Sequence, residues 1–133
     1  MWGTIVRGAG RASRWSLGHQ SRGMTQGDGT AAATPVPLAV LKYFFVENMA
    51  EKRVPHRSAH LQLARDAARR GSLLLGGAAA NPVDAGFLIF RSPQEAREFA
   101  EQDPYVRGEL VRKYEIREWS VVVGSLYDQL SSD

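Results

Sequence analysis

The order of the hydrophobic patterns between residues 38 and 123 restricts the fold of this chain more than any other feature. Four segments are apolar or alternate apolar with polar residues, which is typical of strands. They are residues 38–46, 72–75, 85–90 and 113–123. Helical patterns lie between the first and second strands and between the third and fourth. This βαββαβ order predicts an α+β domain with a ferredoxin-like split fold, an antiparallel sheet and both helices on one face.

The first helix is expected from about residue 57 to residue 70, after a polar loop at residues 47–55. Ser58 is a candidate N-cap, and Gly71 suits the left-handed position just past the helix end. An inward stripe follows i, i+3, i+4, i+7 spacing. It consists of His60, Leu63, Ala64 and Ala67. The pattern therefore predicts that the imidazole of His60 faces the sheet.

The second helix has the clearest start signal in the chain. Ser92, Pro93 and Glu95 form a capping box with proline at the first helical position. The inward face is Ala96, Phe99 and Ala100, and Asp103 continues the same spacing. Pro104 disfavours helical geometry at Asp103 and should end the helix there. A short turn over residues 105–110 is expected to lead into the last strand.

His60 and Asp103 are thus both predicted to point into the domain. A carboxylate beside an imidazole fixes its tautomer and raises its pKa, so that the other nitrogen can take or give a proton. Each residue also has a structural interpretation. The imidazole could be a hydrogen-bonded core group, and an aspartate before a proline commonly caps or turns the chain.

Several neighbours are candidates for substrate binding. Arg57, one turn before His60, and Arg53 could each pair with a carboxylate or phenolate, although a solvated arginine is the alternative. Tyr105 could wall the pocket or simply pack, and Gly77 could bring its backbone close to a ligand. A metal site formed by His56, His60 and Asp103 is a weaker alternative, because its spacing is not diagnostic. We therefore expect neither a metal nor another cofactor.

Charge and composition exclude several classes of protein. The chain has no cysteine, which excludes disulfides and thiolate chemistry. Its net charge is +3, but four of its 17 basic residues fall in residues 1–27, which contain no acid. The remainder is nearly neutral, so nucleic-acid binding is not expected. No apolar stretch approaches the roughly 18 residues of a membrane span, so membrane insertion is not expected either.

The first 24 residues are rich in arginine, glycine and serine and lack acids, which is typical of a mitochondrial transit peptide. Residues 26–37 resemble a flexible linker. We therefore divide the chain into residues 1–35, a transit peptide and linker, and residues 36–133, the folded domain. This division predicts a protein of the mitochondrial matrix. A start at Met24 would give a cytosolic form, and an N-terminal tail without a targeting role is the alternative.

Four motifs in order are similar to those of the YciI-like (YCII-related) family, within the dimeric α+β barrel superfamily. They are Arg53-Val-Pro-His-Arg57 with His60-Leu61, then Gly76-Gly77-Ala78, Phe99-Ala-Glu-Gln-Asp103-Pro-Tyr-Val106 and Tyr114-Glu-Ile-Arg-Glu-Trp119. The resemblance covers roughly residues 38–124. It implies a dimer whose active site lies between helices and sheet around His60 and Asp103.

The family includes a dehydrochlorinase of aromatic degradation, the wider superfamily includes muconolactone isomerases, and many members have no known activity. The resemblance therefore implies a cofactor-independent lyase or isomerase that transfers a proton on a small anionic metabolite. A non-catalytic metabolite-binding or accessory domain is the alternative. Apolar residues on the uncovered sheet face, such as Phe44 and Trp119, predict a homodimer through that face. A different partner on the same face is the weaker possibility.

Overall fold

A computed structural model describes residues 4–6 and 34–132 of the chain. This part contains five strands and five helices. They are β1 (Thr4–Val6), β2 (Val36–Phe45), α1 (Met49–Lys52), α2 (Val54–Arg69), β3 (Leu73–Ala78), β4 (Ala85–Phe90), α3 (Pro93–Gln102), α4 (Pro104–Arg107), β5 (Val111–Val121) and α5 (Tyr127–Ser131). None of the described helices combines the length and the apolar character needed to cross a membrane.

The strands form one sheet in the order β1-β5-β2-β4-β3. The long central strand β2 is antiparallel to both β4 and β5, and β3 is antiparallel to β4. The order of these four strands, with α2 and α3 as the crossovers, is that of a ferredoxin-like fold, which confirms the predicted α+β class. The short strand β1 adds a parallel edge beside β5 and was not predicted. Residues 1–3 and 7–33, which make up most of the expected transit peptide and linker, lie outside the described residues.

Alternation along β2 divides its side chains between the two faces of the sheet. Leu41, Tyr43 and Phe45 are buried on the face covered by the helices, whereas Lys42 and Phe44 lie on the other face and are half-buried. The core on the helix side includes α3 residues from the predicted inward stripe. These are Ala96, Phe99 and Ala100. The site described below lies on this helix-covered face.

The sequence predicts the start of one main helix correctly and the start of the other incorrectly. The hydroxyl of Ser92 accepts a hydrogen bond from Glu95 N at 3.2 Å, so α3 begins with the predicted cap. Helix α2 begins at Val54, three residues before the predicted start, and Ser58 is therefore not its cap. The prediction treated Pro55 as part of a loop. Proline is tolerated in a first helical turn, because the backbone N–H there has no partner within the helix.

Further differences appear where short elements replace predicted loops or turns. Strand β3 continues through Gly76 and Gly77, which pair with Leu88 and Phe87 of β4, although it was expected to end before them. The expected turn after Pro104 contains the short helix α4. Strand β5 begins and ends two residues earlier than predicted. Helix α5 covers one end of the other sheet face by packing against Val36, Leu38 and Val121.

Candidate active site

Asp103 lies at the junction of α3 and α4, where it is fully buried. Pro104 excludes helical geometry at Asp103, which is extended with φ −67° and ψ 124°. This geometry allows Oδ1 of Asp103 to accept a hydrogen bond from Tyr105 N at 2.9 Å. Asp103 therefore caps α4, as the structural interpretation of the sequence proposed.

The same carboxylate also contacts His60 of α2. Nδ1 of His60 lies 2.8 Å from Oδ1 of Asp103, and the His60 side chain is only 13 % exposed. Because an ionised carboxylate can only accept, Nδ1 carries the shared proton and Nε2 is the nitrogen free to accept another. The two residues that the sequence predicted to point inward are thus in direct contact.

Tyr43 of β2 is the second side chain that contacts this carboxylate, and sequence reasoning missed it. Its hydroxyl donates to Oδ2 of Asp103 at 2.6 Å. Burial raises the pKa of Tyr43 well above its ordinary value, and the neighbouring charge of Asp103 raises it further. Tyr43 therefore remains a protonated donor. The alternation of β2 held a usable signal, because a tyrosine on the buried face needs a hydrogen-bond partner for its hydroxyl.

Aromatic rings hold the imidazole in its orientation. The ring of Tyr105 stacks on that of His60, with centroids 3.8 Å apart and an angle of 6° between the planes. Phe99 meets the same imidazole edge-on at 6.2 Å, and Phe45 meets Tyr105 in the same way at 6.2 Å. Rotation of the imidazole would break both the stack and the hydrogen bond to Asp103. The imidazole of His60 is therefore fixed in one orientation.

A cavity of about 300 Å³ opens in front of His60, between α2 and the strands β3 and β4. Arg53, Arg57 and Tyr105, three of the candidate substrate-binding residues, line it. Burial raises the pKa of Tyr105, whereas the charges of Arg53 and Arg57 and a hydrogen bond from Arg57 act to lower it. Both guanidinium groups are thus close to the ring that stacks on His60. An anion beside His60 would meet two positive charges.

Glycines keep the sheet side of the cavity open. A Cβ on Gly86 would lie 2.9 Å from Cζ of Phe45, so only glycine allows this ring to cross the strand. Gly77, another candidate substrate-binding residue, lines the cavity with its backbone. Its pairing with Phe87, however, places its side-chain position on the opposite face of the sheet. Gly76, paired with Leu88, occupies the cavity side.

His56 does not line this cavity. Its ring faces Gly108, where an added Cβ would lie 3.0 Å from Cε1 of His56. Over residues 34–132, for which side chains are described, no three histidine or acidic side chains are arranged to hold a metal ion. The alternative metal site of His56, His60 and Asp103 is therefore not supported.

Comparison with known proteins identifies the family of this chain and a solved structure with a similar fold. The sequence profile of the YCII-related domain matches residues 36–120. The chain belongs to the YCII-related family. No protein in the comparison with curated sequences matches it. Among solved structures, this YCII-related protein is similar to a 5-chloro-2-hydroxyhydroquinone dehydrochlorinase (TftG) from Burkholderia phenoliruptrix AC1100, in complex with 2,5-dihydroxybenzoquinone. The two structures superpose with a TM-score of 0.53, and their sequences are 20% identical. The match covers 62% of this chain and 92% of the other chain, which shows a shared fold.

Proposed function

We propose that this YCII-related protein is a small cofactor-independent lyase or isomerase that transfers a proton on a small anionic substrate. The observation that carries the proposal is the hydrogen bond between Nδ1 of His60 and Asp103. This bond leaves Nε2 of His60 as the basic nitrogen. His60 lines a cavity that is also lined by arginines. The solved dehydrochlorinase of the same fold supports the class of reaction.

In the proposed reaction, Nε2 of His60 removes a proton from a carbon beside a carbonyl group. The electron pair of the broken C–H bond moves into the carbon framework and places negative charge on the carbonyl oxygen, as an enolate. Arg57 and Arg53 stabilise that charge, while Asp103 stabilises the imidazolium. Reprotonation at another carbon completes an isomerisation. Alternatively, the electron pair expels chloride from the neighbouring carbon, which completes an elimination.

The experiment that tests this proposal follows proton transfer directly. Candidate substrates are chlorinated hydroxyquinols and unsaturated lactones that bear a carboxylate, incubated in deuterated water and examined for exchange and for product. We expect His60→Gln to lower the rate by about a hundredfold or more, since a positioned general base typically contributes at least that much. His56→Gln is the matched control, because His56 lies outside the cavity lining.

The non-catalytic alternative makes a different prediction in the same experiment. A binding or accessory domain would be stabilised by the anions in a saturable way, with neither exchange nor product. That result would contradict the proposed reaction, as would equal rates in the His60 and His56 variants.

We also propose that the protein is a homodimer through the sheet face opposite α2 and α3. Phe87 and Trp119 on this face are 43% and 48% exposed. The ammonium groups of Lys42 and Lys113 lie 4.6 and 4.7 Å from the ring centroid of Phe44, so charged groups cover part of the same surface. A second copy would remove the remaining apolar area from water.

The proposed destination is the mitochondrial matrix, on the basis of the basic, acid-free first 24 residues. Fusion of residues 1–35 to a fluorescent reporter tests this proposal. Mitochondrial import with cleavage of the segment is the expected result, and a diffuse cytosolic reporter would contradict it. A fusion that starts at Met24 is the matched control and should stay in the cytosol.

A further inference from the structure

A third arginine lines the far end of the active-site cavity. Arg65 belongs to the cavity lining together with Arg57, which lies two turns earlier on α2. Their separation of eight positions corresponds to about 12 Å along the helix axis. The cavity therefore follows α2 from the His60 end, where Arg53 and Arg57 lie, to a second positive end at Arg65.

No carboxylate balances this second charge within the part of the chain whose side chains are described. No acidic residue lines the cavity, and no ion pair there includes Arg65. Arg69, one turn further on, differs in this respect, because its Nη1 lies 2.8 Å from Oδ1 of Asp66. Arg69 also lies outside the cavity lining. Arg65 is thus a cation at the cavity, available to a ligand.

The wall between the two positive ends is apolar. Leu61 and Ala64 of α2 line it on one side, and Leu88 of β4 lines it on the other. Gly76 also lines the cavity and adds no side chain to it. A ligand with an uncharged hydrocarbon or ring segment between two anionic groups would fit between these walls. Its apolar segment would be buried against them, and each of its anionic groups would meet an arginine.

We infer that the substrate is an elongated dianion with two carboxylate-type ends and an apolar middle. One anionic end lies beside His60 at Arg53 and Arg57, and the other pairs with Arg65. This inference rests on the proposed function and narrows its substrate class. It assigns Arg65 the role of a specificity-determining residue, which selects substrates by the distance between their charges.

Simple dicarboxylates are suitable probes. Straight-chain dicarboxylates from succinate to sebacate are titrated into the full chain at low ionic strength and compared with monocarboxylates of the same carbon number. One chain length should bind best, by about fivefold or more over its matched monocarboxylate, as a second charge-assisted contact at a partly exposed site allows. Equal binding of the two series at every length would overturn the inference.

Two variants of α2 then identify the residue responsible. Arg65→Gln should remove the advantage of the best dicarboxylate over its matched monocarboxylate. Arg69→Gln makes the same change of charge one turn away, outside the cavity, and should retain the advantage. If the two variants bind dicarboxylates equally well, Arg65 does not form the second anionic subsite and the inference is wrong.

Failure of the inference and failure of the proposed function would look different. The inference concerns affinity and depends on Arg65, whereas the proposed function concerns proton transfer and depends on His60. Dicarboxylate selectivity that depends on Arg65, found together with undiminished proton exchange in His60→Gln, would support the inference and contradict the proposed reaction. Exchange that depends on His60, with no selectivity for dicarboxylates, would overturn the inference alone.

Discussion

Asp103 joins three donors that come from three separate elements of the fold. Tyr43 lies on β2, His60 lies on α2, and the backbone N–H of Tyr105 belongs to α4. With the carboxylate fully buried, each donor replaces a hydrogen bond that water would otherwise make. Asp103 therefore both caps α4 and contacts His60.

The tautomer of His60 depends on this carboxylate, and Asp103→Asn tests the dependence. We expect wild-type His60 to carry its proton on Nδ1 when neutral, because that nitrogen faces Oδ1. In the variant, the amide can present its NH2 group instead, so the proton should shift towards Nε2 in part of the molecules. Nitrogen-15 NMR of the imidazole distinguishes the tautomers. The same tautomer in both proteins would show that Asp103 does not orient the ring.

Tyr43→Phe should lower the free energy of unfolding by about 1–3 kcal/mol at neutral pH, because a buried carboxylate loses a donor. The raised pKa of Tyr43 also gives this effect a pH dependence. Unfolded chains lose the tyrosine proton near pH 10 while the folded protein keeps it, so this stabilisation is present below about pH 10 and is lost above it.

Urea unfolding across this pH range checks the prediction for Tyr43. The difference in stability between the wild type and Tyr43→Phe should narrow as the pH rises above about 10. Tyr127→Phe is the control, because that hydroxyl donates to the backbone oxygen of Thr34 and not to a buried carboxylate. A constant difference at all pH values would contradict the role assigned to Tyr43.

At the scale of the elements, strand β4 must pass beneath an aromatic ring at Gly86. Gly86→Ala places a Cβ against Phe45, whose ring contacts Tyr105, so we expect a loss of about 1–3 kcal/mol of stability and weaker ligand binding. Gly77→Ala is the matched control. Its Cβ would meet nothing within 4 Å. Thermal unfolding and ligand titration should separate the two variants, and equal effects would refute this account.

Element boundaries were predictable where one local interaction determines them. The start of α3 follows from Ser92 and Glu95, whose hydrogen bond forms within four residues. The start of α2 was not predictable in the same way, because Pro55 suits both a loop and a first helical turn. The extension of β3 through Gly76 and Gly77 depends on pairing with β4, which local sequence does not encode.

The candidate site was predictable to a similar extent. Helical spacing placed His60 and Asp103 on inward faces, and the structure brings the two side chains into contact. Tyr43 joins them from β2, 60 residues away from Asp103 in sequence, and no spacing rule within an element connects such positions. Strand alternation showed which face Tyr43 occupies but not which residue it would meet.

At the scale of the whole molecule, the proposed dimer places apolar side chains of the open sheet face against a second copy. Phe87→Glu puts a charge at that contact, and the neighbouring Lys42 can pair with it within one subunit. We therefore expect a folded monomer in sedimentation experiments, with the secondary structure retained. Val54→Glu changes a 67% exposed apolar residue on α2 and should leave the dimer intact. A wild-type monomer would contradict the proposal.

The double role of Asp103 has a consequence for how this chain can change over generations. A lineage without the proposed reaction would still be selected to keep an aspartate at this position, because the start of α4 and two buried donors depend on it. Arg57 and Arg65 are under no such requirement, since both are exposed. Some relatives of this protein could retain the aspartate but lack the arginines. We would expect such a relative to keep the fold and to bind no anionic ligand in this cavity.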